Sequence, residues 1–143
     1  MILLDTNVIS EWMRPAPDSK VIAWLDTWPE GQLFVPAIAK AEIDAGIALL
    51  PEGKRRDALL QAAEVIFAEF SGRCLPLDCD CTAQYASILA LSRRAGRPMT
   101  VEDAQIAAIA YRHGMTLATR NLSDFDCLKD LELIDPWQEA AGA

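Results

Sequence analysis

The first ten residues constrain the fold most, because a short apolar run there ends abruptly at an acid. Ile2, Leu3 and Leu4 do not alternate with polar residues, which is typical of a strand buried on both faces in a parallel sheet. In open α/β sheets, the crevice beyond the carboxyl ends of the strands is where ligands bind. Asp5 is therefore the first candidate functional residue. The alternative is that it only helps to cap the helix that follows, for which Asn7 or Thr6 is also a candidate cap.

The length of the chain predicts a single domain spanning residues 1–143, since 143 residues suffice for one core and no Pro, Gly or Ser run marks a boundary. No apolar run is long enough to span a bilayer. The N-terminus shows neither a basic leader nor a cleavage site, so we expect a cytoplasmic protein without membrane association.

The charge balance limits the class of partner. The chain has 21 acidic and 13 basic residues and a net charge of −8, which would repel a polyanion unless the acids are neutralised locally or the bases are clustered. The four cysteines form no CxxC pair and His113 is the only histidine, which argues against a zinc site. We expect reduced, partly buried thiols.

Strand-like and helix-like segments alternate along the chain, which predicts an α/β fold with three layers and a mainly parallel central sheet. After the first strand and helix, short apolar runs predict strands and apolar residues at helical spacing predict helices. The further strands are expected at 32–36, 74–77, 115–119 and 131–134, and the further helices at 21–25, 38–49, 54–70, 82–95 and 101–113.

Glu42 is a second candidate because helical spacing aligns it with apolar residues. Ile38, Glu42, Ala45 and Leu49 fall on one stripe of the predicted helix, whereas Ile43 and Ile47 face the other way, so burial on two sides remains open. A glutamate that faces a core needs a partner or a metal ion. The alternative is a glutamate at the edge of the core that extends its carboxylate to solvent.

Asp103 is a third candidate, near the start of the helix at 101–113. Thr100 followed by Asp103 resembles a capping box with Asp in place of Glu, so a helix-start role is the alternative to a site role. Asp103, Ala107 and Ala110 share a face of small residues, which would bring the helix close to the sheet and direct Asp103 towards the strand ends.

Polar and acidic residues gather again after the predicted strand at 115–119, where Asn121 and Asp124 follow. Together with Asp5, Glu42 and Asp103, these residues form a set of oxygen donors from four segments. Such donors suit Mg²⁺ or Mn²⁺ better than zinc.

With these residues assembled, the chain resembles the PIN-domain family and, within it, the VapC and FitB-like toxins of type II toxin–antitoxin pairs. The resemblance covers nearly the whole length. It rests on these stretches: Ile2 to Glu11, Ala41-Glu42 with Gly46, Glu102-Asp103 with Ile106 to Ala108, Leu117 to Asn121 with Asp124-Phe125, and Pro136-Trp137.

The resemblance implies that Asp5, Glu42 and Asp103 match the metal-binding acids of the family. FitB-like relatives can carry an Asp directly after Thr-Arg, where this chain has Asn121. Either Asn121 holds a metal-bound water or Asp124 supplies the fourth acid, and both remain open at this point. The residues expected to support the site are Thr6, Asn7, Thr119 and Asn121.

What the resemblance implies for function is metal-dependent endoribonuclease activity with Mg²⁺ or Mn²⁺. Divalent ions at such a site would promote in-line displacement at phosphorus. Arg120, Lys40 and Arg14 lie on segments near the predicted site and are candidates for contacts with RNA phosphates, the alternative being solvated charges. The resemblance further implies a homodimer and a cognate VapB/FitA-like antitoxin.

Other functional classes remain as alternatives. A receiver-type domain would need a lysine late in the sheet, which residues 116–121 lack, and a HAD-type phosphatase would need an Asp at position 7, which is Asn. A non-catalytic module whose acidic cleft binds a basic partner peptide is the alternative from outside the enzymes. RNA cleavage that depends on a metal ion would discriminate against it.

Overall fold

A parallel sheet forms the centre of the protein. The computed structural model describes residues 1–138. Within them, five strands pair in parallel in the order β3-β2-β1-β4-β5. The bounds are β1 Ile2–Leu4, β2 Leu33–Pro36, β3 Cys74–Leu75, β4 Thr116–Ala118 and β5 Leu133–Ile134.

Helices connect the strands and cover both faces of the sheet. Six α-helices lie within residues 1–138, with short 3₁₀ helices at Glu30–Gln32, Cys79–Cys81 and Leu122–Phe125. The α-helices are α1 Thr6–Trp12, α2 Ser19–Asp26, α3 Ala37–Ala48, α4 Lys54–Glu69, α5 Thr82–Arg94 and α6 Val101–His113. The prediction of a three-layer α/β fold with a mainly parallel sheet is confirmed.

Strand β1 separates the two halves of the core. Ile2 and Leu4 belong to a hydrophobic cluster with α1 to α4, whereas Leu3 belongs to a second cluster with α5 and α6. All three residues are buried, as expected for a strand covered on both faces. This explains why the N-terminal run has no polar alternation.

Small residues allow α6 to lie close to the sheet. Ala104, Ala107, Ala108 and Ala110 are fully buried, in agreement with the predicted small face. Gly114 ends the helix in the left-handed conformation, with φ of 63°, which glycine adopts without a steric penalty. The chain thereby passes directly from α6 into β4.

The prediction for α3 was wrong about which face is buried. Its buried residues are Ala39, Ile43 and Ile47, whereas Glu42 is exposed and Leu49 is 86% exposed. Both stripes are apolar enough for burial, so the sequence pattern does not discriminate between them. Helices α1 and α4 pack on the side of Ile43 and Ile47 and so decide the orientation.

Two further expectations concern thiols and membranes. The four cysteines are all free, with Cys81 buried and two of the others exposed. No helix among residues 1–138 is long and apolar enough to cross a bilayer.

Candidate active site

The register of the sheet brings Asp5 and Thr119 together. Leu4 pairs with Ala118 across β1 and β4, so the next residue of each strand lies at the same carboxyl edge. The Thr119 hydroxyl donates a hydrogen bond of 2.8 Å to Oδ2 of Asp5. Both residues are buried, and Asp5 is only 4% exposed. The fold thus fixes one carboxylate at the strand ends.

Asp5 also caps α1, the helix for which Thr6 or Asn7 was a predicted cap. Its Oδ1 accepts a hydrogen bond of 2.8 Å from the backbone N–H of Thr6, which is the first residue of the helix. Thr6 and Asn7 are therefore helical residues, and that part of the prediction was wrong. The capping role that the sequence left as an alternative for Asp5 is real, and it leaves Oδ2 directed at Thr119.

Asn7 and Thr119 complete the network around Asp5. The Asn7 amide donates hydrogen bonds to Asp5 Oδ2 at 3.4 Å and to Thr119 Oγ1 at 3.3 Å. Its own Oδ1 accepts from the backbone N–H of Arg120 at 3.3 Å, and the Asn121 N–H donates to Thr119 Oγ1 at 3.1 Å. These contacts hold the loop after β4 against the start of α1.

Burial raises the pKa of the Asp5 carboxyl above its ordinary value. The hydrogen bonds from Thr119 and Thr6 favour the charged form and oppose this shift, and the charge of Asp124 adds to it. Asp5 is therefore a carboxylate held in a place where its charge is costly.

Glu42 reaches the same edge from α3 although it does not face the core. The Thr6 hydroxyl donates a hydrogen bond of 2.9 Å to Oε1 of Glu42, which links α3 to α1. Partial burial raises the pKa of Glu42, the bond from Thr6 opposes the shift, and the charges of Asp5 and Glu102 add to it. Thr6 is thus the residue that orients Glu42.

The pKa of the Asp103 carboxyl is raised to about 6. Burial of this half-buried side chain is the main cause of the shift, and the charges of Asp5, Asp124 and Glu42 raise the pKa further. The hydrogen bond with Thr100 lowers it. Because one carboxyl experiences the other three, the four predicted acids share a single electrostatic environment. The predicted helix start is also present, since Thr100 Oγ1 accepts from the Asp103 N–H at 3.1 Å.

Asp124 and Asn121 occupy different positions relative to the acids. Asp124 lies on the exposed 3₁₀ helix and lines a cleft of about 360 Å³ together with Asp103. The Asn121 side chain is exposed, and its backbone is tied to Thr119 and Asp124. Asp124 therefore shares the electrostatic environment of the other acids. Whether Asp124 or Asn121 is the fourth ligand stays a prediction.

Sequence reasoning missed Glu102 as a member of this group. Its charge raises the pKa of Glu42, so it lies close enough to interact with the site although it is exposed. The signal was its position directly before Asp103 in the first turn of α6. Glu11, a further buried acid, accepts hydrogen bonds from the Arg14 guanidinium and from the N–H of Asp18.

Arg120 is the predicted phosphate-binding cation that lies nearest the Asp5 network. Its backbone N–H donates to Asn7, and its guanidinium stacks over the Trp137 ring at 4.9 Å from the ring centre. This cation–π contact stabilises the position of the Arg120 side chain on the loop that follows β4.

The other two predicted cations already form salt bridges with nearby acids. Arg14 forms a salt bridge of 3.1 Å with Glu11. Lys40 forms one of 2.6 Å with Asp44 and lies over the Phe67 ring. A contact with RNA stays a prediction for both.

The donor set fits a hard divalent cation. Among residues 1–138, none of Asp5, Glu42, Asp103 and Asp124 forms a salt bridge with Lys or Arg, and three of these acids have raised pKa values. Unneutralised oxygen ligands of this kind suit Mg²⁺ or Mn²⁺. In the same residues, no three His, Cys, Asp or Glu side chains already surround a common point, so the exposed acids would have to turn inwards.

Comparison with known proteins identifies the family. The model of the family described as "PIN domain" matches residues 2–128, which is most of the chain. The chain belongs to the PIN-domain family. The predicted resemblance is thereby confirmed.

Similar proteins extend the match over nearly all of the chain. It is 40% identical to "VapC ribonuclease Y4jK" of Sinorhizobium fredii, with 98% of this chain and 100% of the relative covered. It is 41% identical to "Toxin FitB" of Neisseria gonorrhoeae, with 97% and 100% covered. The crystal structure of FitAcB from Neisseria gonorrhoeae has a TM-score of 0.88 at 41% identity and covers 97% of this chain and 100% of its own.

Proposed function

We propose that this PIN-domain protein is a Mg²⁺- or Mn²⁺-dependent endoribonuclease that serves as the toxin of a toxin–antitoxin pair. One observation carries the proposal: Asp5, Glu42, Asp103 and Asp124 share one electrostatic environment at the carboxyl edge of the sheet, and among residues 1–138 none of them forms a salt bridge with Lys or Arg. The relatives named as a VapC ribonuclease and as toxin FitB support the same reading.

In this mechanism the four acids would hold the metal, and Asp5 would be the fixed ligand. A bound divalent ion would supply electrostatic stabilisation for the charge that develops at phosphorus and would acidify a water molecule. Thr119 keeps Oδ2 of Asp5 in one orientation, and Thr6 does the same for Oε1 of Glu42. The buried carboxylate of Asp5 therefore needs little reorganisation during the reaction, whereas the exposed Glu42 would still turn towards the metal.

RNA must approach a protein whose net charge is −8. Neutralisation of the acids by the cation would remove the local repulsion. Arg120 would then contact a phosphate next to the scissile one, since its backbone is bonded to Asn7 in the Asp5 network. Lys40 and Arg14 would add weaker contacts if they leave their present carboxylate partners.

The assembly follows from the same reading. We expect a homodimer and a cognate VapB/FitA-like antitoxin that covers the acids, both in the cytoplasm. The similarity to a protein named toxin FitB supports a pairing of this kind.

The test is incubation of the purified chain with a panel of cellular RNAs in Mg²⁺, in Mn²⁺ and in EDTA. We expect internal cleavage only with the ions, and a melting temperature that rises in millimolar Mg²⁺ by mass action. Cleavage that persists in EDTA would contradict the metal requirement. An unmoved melting temperature with no cleavage, together with binding of a basic peptide, would favour the interaction module instead.

A further inference from the structure

A cleft separates two segments that each carry a site acid. Its volume is about 360 Å³, and its lining includes Asp103 and Asp124. Asp103 belongs to the first turn of α6, which follows the turn at residues 95–100, and Asp124 belongs to the 3₁₀ helix Leu122–Phe125. The relative position of these two segments therefore sets how closely the two carboxylates approach each other.

One side chain crosses from the first segment to the second. Arg97 Nη1 donates a hydrogen bond of 2.8 Å to Oδ2 of Asp126, and its Nη2 donates one of 3.0 Å to the carbonyl oxygen of Ser123. The two acceptors lie on either side of Asp124 in the chain. The planar guanidinium can serve both acceptors at once, which a lysine ammonium cannot do with the same geometry.

The backbone of Arg97 is itself anchored in the core. Ser92 is fully buried, and its hydroxyl donates a hydrogen bond of 2.8 Å to the Arg97 carbonyl oxygen while accepting one of 2.8 Å from the Met99 N–H. The Arg97 N–H also donates to the Ser92 carbonyl oxygen at 3.0 Å. A bond made by the Arg97 side chain therefore connects the Asp124 segment to a fixed point of α5.

We propose that Arg97 is a positioning residue that holds the backbone of the Asp124 segment opposite Asp103, so that the two carboxylates can turn towards one shared divalent cation. This inference rests on the proposed function. The salt bridge between Arg97 and Asp126 is about half exposed on both sides, at 53% and 46%, so it adds little to the stability of the fold. Its effect should therefore fall on metal affinity.

Metal affinity is measured with Mn²⁺ alone, from the electron paramagnetic resonance signal of the free ion in titrations of the full chain. We expect Arg97→Gln to raise the Mn²⁺ dissociation constant about tenfold, the range observed when a residue that orients a metal ligand is lost. Arg97→Lys should restore part of the affinity. Arg94→Gln, at the exposed end of α5, is the matched control and should leave it unchanged.

Asp126→Asn tests the same contact from the other side. It should weaken Mn²⁺ binding less than Arg97→Gln does, because the bond to the Ser123 carbonyl remains. The double variant should bind Mn²⁺ no more weakly than Arg97→Gln alone, since the two residues act through one contact. Additive losses would overturn the proposal.

Kinetic measurements of RNA cleavage distinguish a positioning role of Arg97 from a direct contact between Arg97 and RNA. At saturating Mn²⁺ the Arg97→Gln enzyme should regain nearly the wild-type kcat and KM, whereas an arginine that binds phosphate would raise KM at every Mn²⁺ concentration. The wild-type protein could bind Mn²⁺ and cleave RNA while Arg97→Gln and Asp126→Asn both keep the wild-type Mn²⁺ affinity. That result would overturn the proposal for Arg97 and leave the proposed function standing. A wild-type protein that neither binds Mn²⁺ nor cleaves RNA would overturn the proposed function and this inference with it.

Discussion

The two sides of the site are built differently. On the strand side, Asp5 is 4% exposed and accepts hydrogen bonds from Thr6, Asn7 and Thr119. On the helix and loop side, Glu42 and Asp124 are exposed.

In the proposed cation site, the fold fixes one carboxylate and leaves others exposed. Burial in the sheet edge fixes the proposed ligand Asp5, at the cost of a raised pKa for its carboxyl. The exposed acids keep their hydration and remain free to adjust. The site thus has a fixed side at Asp5 and an adjustable side at the exposed side chains of Glu42 and Asp124.

The largest effect is expected for Asp5→Asn on the fixed side. Loss of this carboxylate should reduce RNA cleavage by more than about 100-fold, since removal of a ligand should exceed the loss seen for residues that only orient one. The melting temperature in EDTA should not fall, because a desolvated charge is removed. Initial cleavage rates and thermal melting measure both. Asp18→Asn, at the cap of α2, is the control, and cleavage by Asp5→Asn at the wild-type rate would refute the fixed-ligand role.

Asp103→Asn is expected to have the second-largest effect, and it distinguishes a metal-ligand role of Asp103 from a helix-start role. The cap of α6 is the bond from the Asp103 N–H to the Thr100 hydroxyl, which this substitution leaves in place. Cleavage should fall about 100-fold, and the melting temperature should not fall, because the substitution removes a desolvated charge. Thr100→Ala should instead cost about 1 kcal/mol of stability and keep the carboxylate. If Asp103→Asn retains cleavage, only the helix-start role remains.

The adjustable side gives a smaller effect at the fourth position. Asp124→Asn should reduce cleavage about tenfold and more than Asn121→Ala, because an amide cannot replace the charge of a ligand whereas a water-orienting residue contributes one hydrogen bond. Asn121→Asp should keep or raise activity. The opposite ranking, with Asn121→Ala inactive and Asp124→Asn silent, would assign the fourth position to Asn121. Cleavage rates at saturating Mg²⁺ provide the comparison.

The raised pKa of Asp103 predicts how stability changes with pH when metal is absent. Because its folded pKa is about 6, above the ordinary 3.8, its contribution to stability is fully present below 3.8 and is lost as the pH rises through about 6. After discounting for its half-exposed side chain, the loss is roughly 1 kcal/mol. In EDTA, wild type should therefore lose more unfolding free energy than Asp103→Asn between pH 4 and pH 7. Parallel curves for the two proteins would exclude this coupling.

The smallest effect is expected for Thr6→Val, which frees Glu42 without removing it. The lost hydrogen bond is exposed, so its contribution is about 0.5 kcal/mol, or roughly a twofold loss in cleavage. Higher Mg²⁺ should offset that loss, because the carboxylate is still present. A loss as large as that of Asp5→Asn would show that the Glu42 side is as rigid as the strand side.

Several residues could be placed from the sequence because local patterns constrain them. The apolar run before Asp5 predicts a buried strand, and Gly114 ends the helix of Asp103 where the pattern predicts. The orientation of Glu42 could not be predicted, since two apolar stripes compete on α3 and only the packing of α1 and α4 selects one.

The order of strands and helices, and the positions of the acids at strand ends and helix starts, could be derived from local sequence patterns. These patterns are periodicity and capping, which act over a few residues. The contacts between side chains depend instead on the packing of distant segments. Thr119 reaches Asp5 across 114 positions and Arg97 reaches Asp126 across 29, through contacts set by strand register and turn anchoring. The physical reason is that a hydrogen bond depends on distances of about 3 Å, which local patterns do not specify between segments far apart in the chain.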